Sequence, residues 1–272
     1  MNKLALIGGR IITPFRILNN GTVLIHDDKI YEIGYTDEVK ISDNTRTIDV
    51  SGYTIAPGFV DLLVHGGGGY GFSDDSGNEE SIQAISNYFL SQGSTTMMAS
   101  LHAKPKERLL SDFRRLVKYI KNNPDSNIKG IHMEGPYLNP EYKGAMNEDY
   151  LWKPTIESFN EMYEASEGYL KIMTIAPELP GALDVIREAS FRGVVCSIGH
   201  STASYEDINK AIDYGACHVT HMFNAMKPMH HRKPSLMTAA LMPVPAMPRV
   251  VSVANISKIS CSTLPRPLRA LK

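Results

Sequence analysis

Between Ala56 and Ala240 the chain repeats one rhythm, a short apolar run followed by an amphipathic one. The apolar runs are GFVDLLVHG, STTMMASL, IKGIHMEGP, LKIMTIAP, VVCSIGHS and CHVTHMFNAM. Helical patterns lie between them: SIQAISNYFLSQG, KERLLSDFRRLVKYIKNN, IESFNEMYEA, ALDVIREASFRG and YEDINKAIDYGA. Gly93, Gly193 and Gly215 stand where each of three helices gives way to the next strand. Repeated strand–helix units predict an α/β fold with a parallel sheet. An open doubly wound sheet and a closed barrel both have this rhythm, so the polar residues must separate them. His65, Glu134, His200 and His221 fall at or just past the C-terminal ends of different strands, where barrel proteins assemble their sites. The expectation is therefore an incomplete (β/α)8 TIM-type barrel with a small N-terminal β domain.

The length sets the word incomplete. Eight units need about 250 residues, and residues 57–240 are enough for about six. Residues 241–272 form an atypical tail with five prolines and no helical pattern of useful length. Upstream, residues 1–56 carry LALIGGRIIT, GTVLIHDDKIYEIG and RTIDVSGYTI. Asp27-Asp28 is placed as a hairpin turn, and the segment reads as a small antiparallel unit.

Composition removes several classes of function. A formal net charge of -1 and a pI near 6.8 create no global field for nucleic acid or an anionic membrane. No apolar run approaches the roughly 18 residues of a membrane span, and the N-terminus is interrupted too early for a signal peptide. The three cysteines, Cys196, Cys217 and Cys261, form no CxxC pair. They read as free thiols in a reducing cytoplasm.

Strand alternation puts His132 and Glu134 on one face, with Gly135-Pro136 ending the strand so that Glu134 stands at its rim. A carboxylate there needs a partner: a metal ion, Lys143 or a backbone amide. His200 directly follows Gly199, and Ser201 is a candidate cap for the next helix. His221 shares a face with Val219, while His218 faces the other way. Each histidine alone also fits a satisfied core residue. Together, one carboxylate and two imidazoles from three strand ends make a Zn²⁺ set that leaves a position open. Both readings stand on spacing alone.

PGFVDLLVHGGGG, HMEGPYLNPEYKGAMN, the SIGHS step, and HVTHMFNAM followed by HHRKP resemble the signature segments of N-acetylglucosamine-6-phosphate deacetylases, members of the amidohydrolase superfamily. The resemblance covers residues 9–240. PGFVDLLVHG is generic to amidohydrolases, whereas HMEGPYLNP combined with THMFNAM is specific to the deacetylases. It implies a divalent metal, zinc or iron, held by Glu134, His200 and His221, the histidines keeping the family's spacing. It implies an amino-sugar phosphate substrate contacted by Ala145, Asn224, Ala225 and Arg232, and a homodimer. An arginine suits a sugar phosphate.

Two departures accompany the resemblance. Many amidohydrolases carry His-x-His at the end of strand one, but this chain has Leu63, Val64 and His65. His65 is thus assigned to a second metal or to a shell outside the ligands, and His230 and His231 are left without a role. The family's late-strand aspartate, its general base and acid, has no counterpart after Ala240, so no catalytic residue is assigned. The reading frame is expected to be truncated or shifted near residue 240, and the chain to hydrolyse poorly. The alternative is a non-catalytic fragment that binds metal or sugar phosphate.

Overall fold

The computed structural model describes residues 2–74 and 77–241, with the backbone of Val250 and Val251. Cys261 and nearly all of the atypical tail lie outside the described residues. The chain divides into two compact units, Met1–Gly58 and Phe59–Lys272.

The first unit is a five-stranded sheet. β1 (Lys3–Ile12), β2 (Ile17–His26) and β3 (Lys29–Tyr35) run antiparallel, while β4 (Arg46–Asp49) and β5 (Thr54–Ile55) both pair with β1. Asp27-Asp28 makes the two-residue β2–β3 connection, and Asp27 takes the positive φ of 53° that such a turn requires. The expectation of a wholly antiparallel unit is corrected, because β4 and β5 run parallel to β1. The chain crosses over between β3 and β4, and Val39 from that crossover packs on Ala5 and Leu24.

The second unit is a parallel sheet with helices between its strands. β6 (Phe59–Val64) leads to a two-strand turn, β7 (Gly66–Gly67) with β8 (Tyr70–Gly71), and then to α1 (Glu79–Ser91). β9 (Ser94–His102), α2 (Lys106–Asn122), β10 (Ile128–Glu134), α3 (Ile156–Ala165), β11 (Leu170–Ile175), α4 (Ala182–Phe191), β12 (Val195–Ile198), α5 (Tyr205–Asp213) and β13 (His218–Val219) follow. α6 (Leu236–Leu241) and β14 (Val250–Val251) complete the described elements. The order in the sheet is β6-β9-β10-β11-β12-β13-β14, each strand added beside its predecessor. A doubly wound sheet reverses direction at a switch point; among the described residues this one does not, as in an arc of a barrel.

Local chemistry fixes the helix ends. Asn78 and Ser81 form a capping box on α1, Thr155 caps α3, and Ser204 with Asp207 caps α5. The cap of α5 is Ser204 and not Ser201, whose hydroxyl is turned to Glu178 instead. Gly93, Gly193 and Gly215 take φ of 90°, 79° and 111°, the left-handed exit that their placement predicted. On α2, Leu109, Phe113, Leu116, Val117 and Ile120 recur at helical spacing and join the core between helices and sheet.

The run CHVTHMFNAM is much less of a strand than its composition suggests. Only His218 and Val219 pair with β12. Beyond them His221, Phe223 and Ala225 all have positive φ, at 30°, 78° and 48°, so the strand gives way to a tightly turned rim.

Candidate metal centre

Four side chains from four strand ends meet above the sheet. Glu134 closes β10 in register with His102 of β9 and Thr174 of β11, and it is only 5% exposed. Its Oε1 lies 3.1 Å from His200 Nε2 and 3.0 Å from His221 Nε2. The two Nε2 atoms are 2.9 Å apart, and the rings meet edge to face at 4.7 Å. His65, just past β6, places Nε2 2.8 Å from the other oxygen, Oε2. His200 and His221 are buried, whereas the His65 side chain is 43% exposed.

The outer nitrogens determine the tautomers. His200 Nδ1 donates to the Tyr142 carbonyl (2.7 Å), and His221 Nδ1 donates to the Asn224 carbonyl (3.1 Å). A carbonyl only accepts, so in each neutral ring Nδ1 carries the proton and Nε2 offers its lone pair inward. Two nitrogen lone pairs and a carboxylate oxygen thus converge with no proton to share among neutral rings. A cation resolves that repulsion, and ligands about 2.1 Å from one metal sit about 3.0–3.4 Å from each other, close to the spacing seen. The donor set fits a borderline ion such as zinc or iron. Among the described residues, Glu134, His200 and His221 are the group that could hold a metal.

Burial alone would push the Glu134 carboxyl up, but contacts from His200, His221 and His65 hold it well below the usual carboxylate range. Burial pushes His221 down, and Glu134 more than reverses this, leaving its pKa raised. Lys143, the alternative partner for Glu134, donates to the Met146 carbonyl instead.

Under the cluster runs a polar floor. His132 Nδ1 donates to the Leu62 carbonyl (2.6 Å), and Nε2 faces the Thr174 hydroxyl (2.8 Å). Thr174 meets Thr220 at 2.7 Å, Thr220 meets Ser197, and Ser197 meets His218 Nδ1 at 2.7 Å. His132 thus shares the inward face of Glu134, as alternation predicts, but binds within the floor. Sequence reading missed these hydroxyls, because Thr and Ser in apolar strands look like ordinary β-sheet residues. Their alternation on inward positions was the available signal.

Gly144 lies beside His200, since a β-carbon there would be 3.3 Å from His200 Cε1 and 4.0 Å from Ala225 Cβ. Ala145 and Asn224 are exposed, and Ala225 is half-buried. Arg232 is exposed in the loop leading to α6, with its backbone N–H donating to His230 Nδ1 (3.1 Å). His230 and His231 stack on each other at 4.6 Å, both exposed. Cys196 is buried and Cys217 half-buried, both as free thiols.

A singly wound parallel sheet with a carboxylate–imidazole cluster at its strand C-termini is the arrangement from which barrel proteins build metal-binding sites. The homologues of this chain are N-acetylglucosamine-6-phosphate deacetylases, which it matches over most of its length. The enzyme of Bacillus subtilis is 28% identical over 235 residues, covering 85% of this chain and 59% of its own. The human enzyme is 31% identical over 233 residues, covering 84% of this chain and 55% of its own. The crystal structure of the Mycobacterium smegmatis deacetylase superposes with a TM-score of 0.76 at 32% identity, covering 88% of this chain and 61% of that one. No protein-family model matches the chain. The chain therefore spans less than two thirds of the length of these relatives. Among the described residues no helix is long and apolar enough to cross a membrane.

Proposed function

We propose that this chain is the metal-binding portion of a (β/α)8-barrel deacetylase that hydrolyses the N-acetyl group of N-acetylglucosamine 6-phosphate to glucosamine 6-phosphate and acetate. The observation that carries the reading is the convergence of two inward lone pairs and one carboxylate oxygen within about 3 Å. Support for the substrate comes from the homologues, one of which was solved with N-acetyl-D-glucosamine-6-phosphate bound.

Glu134, His200 and His221 hold the ion, which is zinc or iron. When bound, a divalent ion supplies Lewis acidity toward an amide carbonyl and toward water. His65 secures the second oxygen of Glu134, so the carboxylate cannot swing away from the histidines. Ala145, Asn224 and Ala225 are assigned to contacts with the sugar, and Arg232 brings a guanidinium for the phosphate. Among the described residues no second carboxylate is bonded to this cluster, and residues 243–272 contain neither Asp nor Glu. The reading therefore places metal and sugar-phosphate binding in the described residues.

Acetate release from N-acetylglucosamine 6-phosphate, alongside zinc and iron content of the purified chain, tests this. Stoichiometric metal lost on replacing His221 agrees with the reading. A chain that takes up no divalent metal under any loading condition ends it.

A further inference from the structure

His200 sits between two loops, and one carboxylate grips both. Glu178, half-buried in the loop after β11, accepts at Oε1 from Asn139 Nδ2 (2.9 Å), the Thr202 backbone N–H (2.6 Å) and the Thr202 hydroxyl (3.1 Å). Its Oε2 accepts from the Ser201 hydroxyl (2.7 Å). Ser201 and Thr202 are the residues immediately after His200. The Asn139 backbone N–H donates to the His200 carbonyl (3.0 Å), and the Tyr142 N–H donates back to the Asn139 carbonyl (3.0 Å). Tyr142 in turn supplies the carbonyl that orients the His200 ring. Glu178 thus reaches His200 by two routes, one through its backbone turn and one through the loop that sets its ring.

The turn needs holding. His200 has φ of 51°, a left-handed conformation that a residue with a β-carbon adopts only under constraint from its surroundings. Four donors converge on the two oxygens of Glu178, and a glutamine would offer one acceptor atom in place of two. Among the described residues the hydrogen bonds of this carboxylate go to Asn139, Ser201 and Thr202, so they serve the His200 turn and the Asn139 loop.

We infer that Glu178 is a positioning residue of the metal centre, fixing His200 Nε2 at its ligand position through Ser201, Thr202 and Asn139. The inference rests on reading Glu134, His200 and His221 as metal ligands.

The test is Zn²⁺ binding to the chelator-stripped full chain, read by competition with a chromogenic chelator, with Co²⁺ absorption reporting ligand geometry. Metal-free thermal midpoints are recorded for every variant. Glu178→Gln is expected to weaken Zn²⁺ binding about 10- to 100-fold, as loss of a group behind a ligand does, and to alter the Co²⁺ bands while the metal-free protein still melts cooperatively. Thr202→Val, which removes one donor and keeps its shape, is expected to shift affinity less and in the same direction. Affinity and Co²⁺ bands unchanged in Glu178→Gln would overturn the inference. If that variant does not fold, unchanged affinity in Thr202→Val overturns it. A parent chain that binds no Zn²⁺ overturns the metal reading itself, and that outcome is distinct from a parent that binds and variants that bind equally.

Discussion

His200 and His221 bring their Nε2 atoms to 2.9 Å of each other while each spends its Nδ1 proton on a backbone carbonyl. Neutral rings so arranged repel, and the Glu134 oxygen beside them adds a third lone pair. Metal should therefore stabilise the fold as well as occupy it. Free Zn²⁺ at about 100 times its Kd is expected to add about 2.7 kcal/mol, seen as a raised thermal midpoint that chelator reverses. His221→Ala should abolish the rise, and His65→Ala, whose contact is to the outer oxygen, should only diminish it. Equal zinc responses in the parent and His221→Ala would contradict the assignment.

Acid should weaken the fold through the polar floor. Burial pushes His132 down to about 4, outweighing the Leu62 carbonyl, and burial also lowers His218. Both pKa values lie below that of the unfolded chain, so unfolding takes up protons as pH falls below about 6.5. Stability is thus full above about pH 6.5 and declines toward about pH 4, with His132 alone accounting for about 3 kcal/mol. Urea midpoints across that range should show the decline, and His132→Gln should flatten it. Identical acid slopes in parent and variant would remove His132 from the explanation.

Gly199→Ala should damage the centre from below. A β-carbon there would lie 2.9 Å from Thr220 Cβ and 3.0 Å from Thr174 Cγ2, both stiff β-branched side chains of the floor. Overpacking of this kind costs about 1–3 kcal/mol, and the displaced Thr220 adjoins His221, a proposed ligand. The variant is expected to unfold at lower urea and to bind Zn²⁺ more weakly. Full retention of both properties would show that the floor yields easily.

Phe113→Ala tests the packing of α2 on the sheet. Phe113 is fully buried in the main core, and removing such a ring costs about 3–5 kcal/mol. Equilibrium urea unfolding should register that loss. A change of a few tenths would mean that α2 is not docked as described.

Arg232 carries the substrate side of the proposal. Its replacement by Ala should weaken glucosamine 6-phosphate binding by roughly 10- to 100-fold, the value of a charge-assisted hydrogen bond, and leave zinc content unchanged. Calorimetric titration of metal-loaded protein reads this directly. Unaltered sugar-phosphate affinity would return Arg232 to an ordinary exposed loop charge.

The parts of this molecule legible in sequence were those set by periodicity. The helices α1 to α5 and the strands β6 and β9 to β12 follow from apolar spacing and from glycine exits such as Gly93. Glu134 and His200 could be singled out because each ends an apolar run, where a polar residue has no reason to be unless it finds partners, and His221 joined them through the resemblance of its segment. What could not be read was convergence. Nothing in a string shows that Leu62 and Tyr142 lend carbonyls to His132 and His200. The brevity of β13 was hidden too, since Phe223 and Ala225 are not residues that announce a left-handed backbone. The parallel pairing of β4 and β5 with β1 was likewise set by a crossover whose composition resembles a plain loop.

The positive φ at His200 and His221 puts chemistry and durability in opposition at the same two positions. Asparagine or glycine accepts that backbone more readily than histidine, so either substitution should yield a sturdier polypeptide with an emptied centre. Robustness alone would therefore favour other residues at both positions, and under the proposed reading the imidazoles are there for the ion they hold.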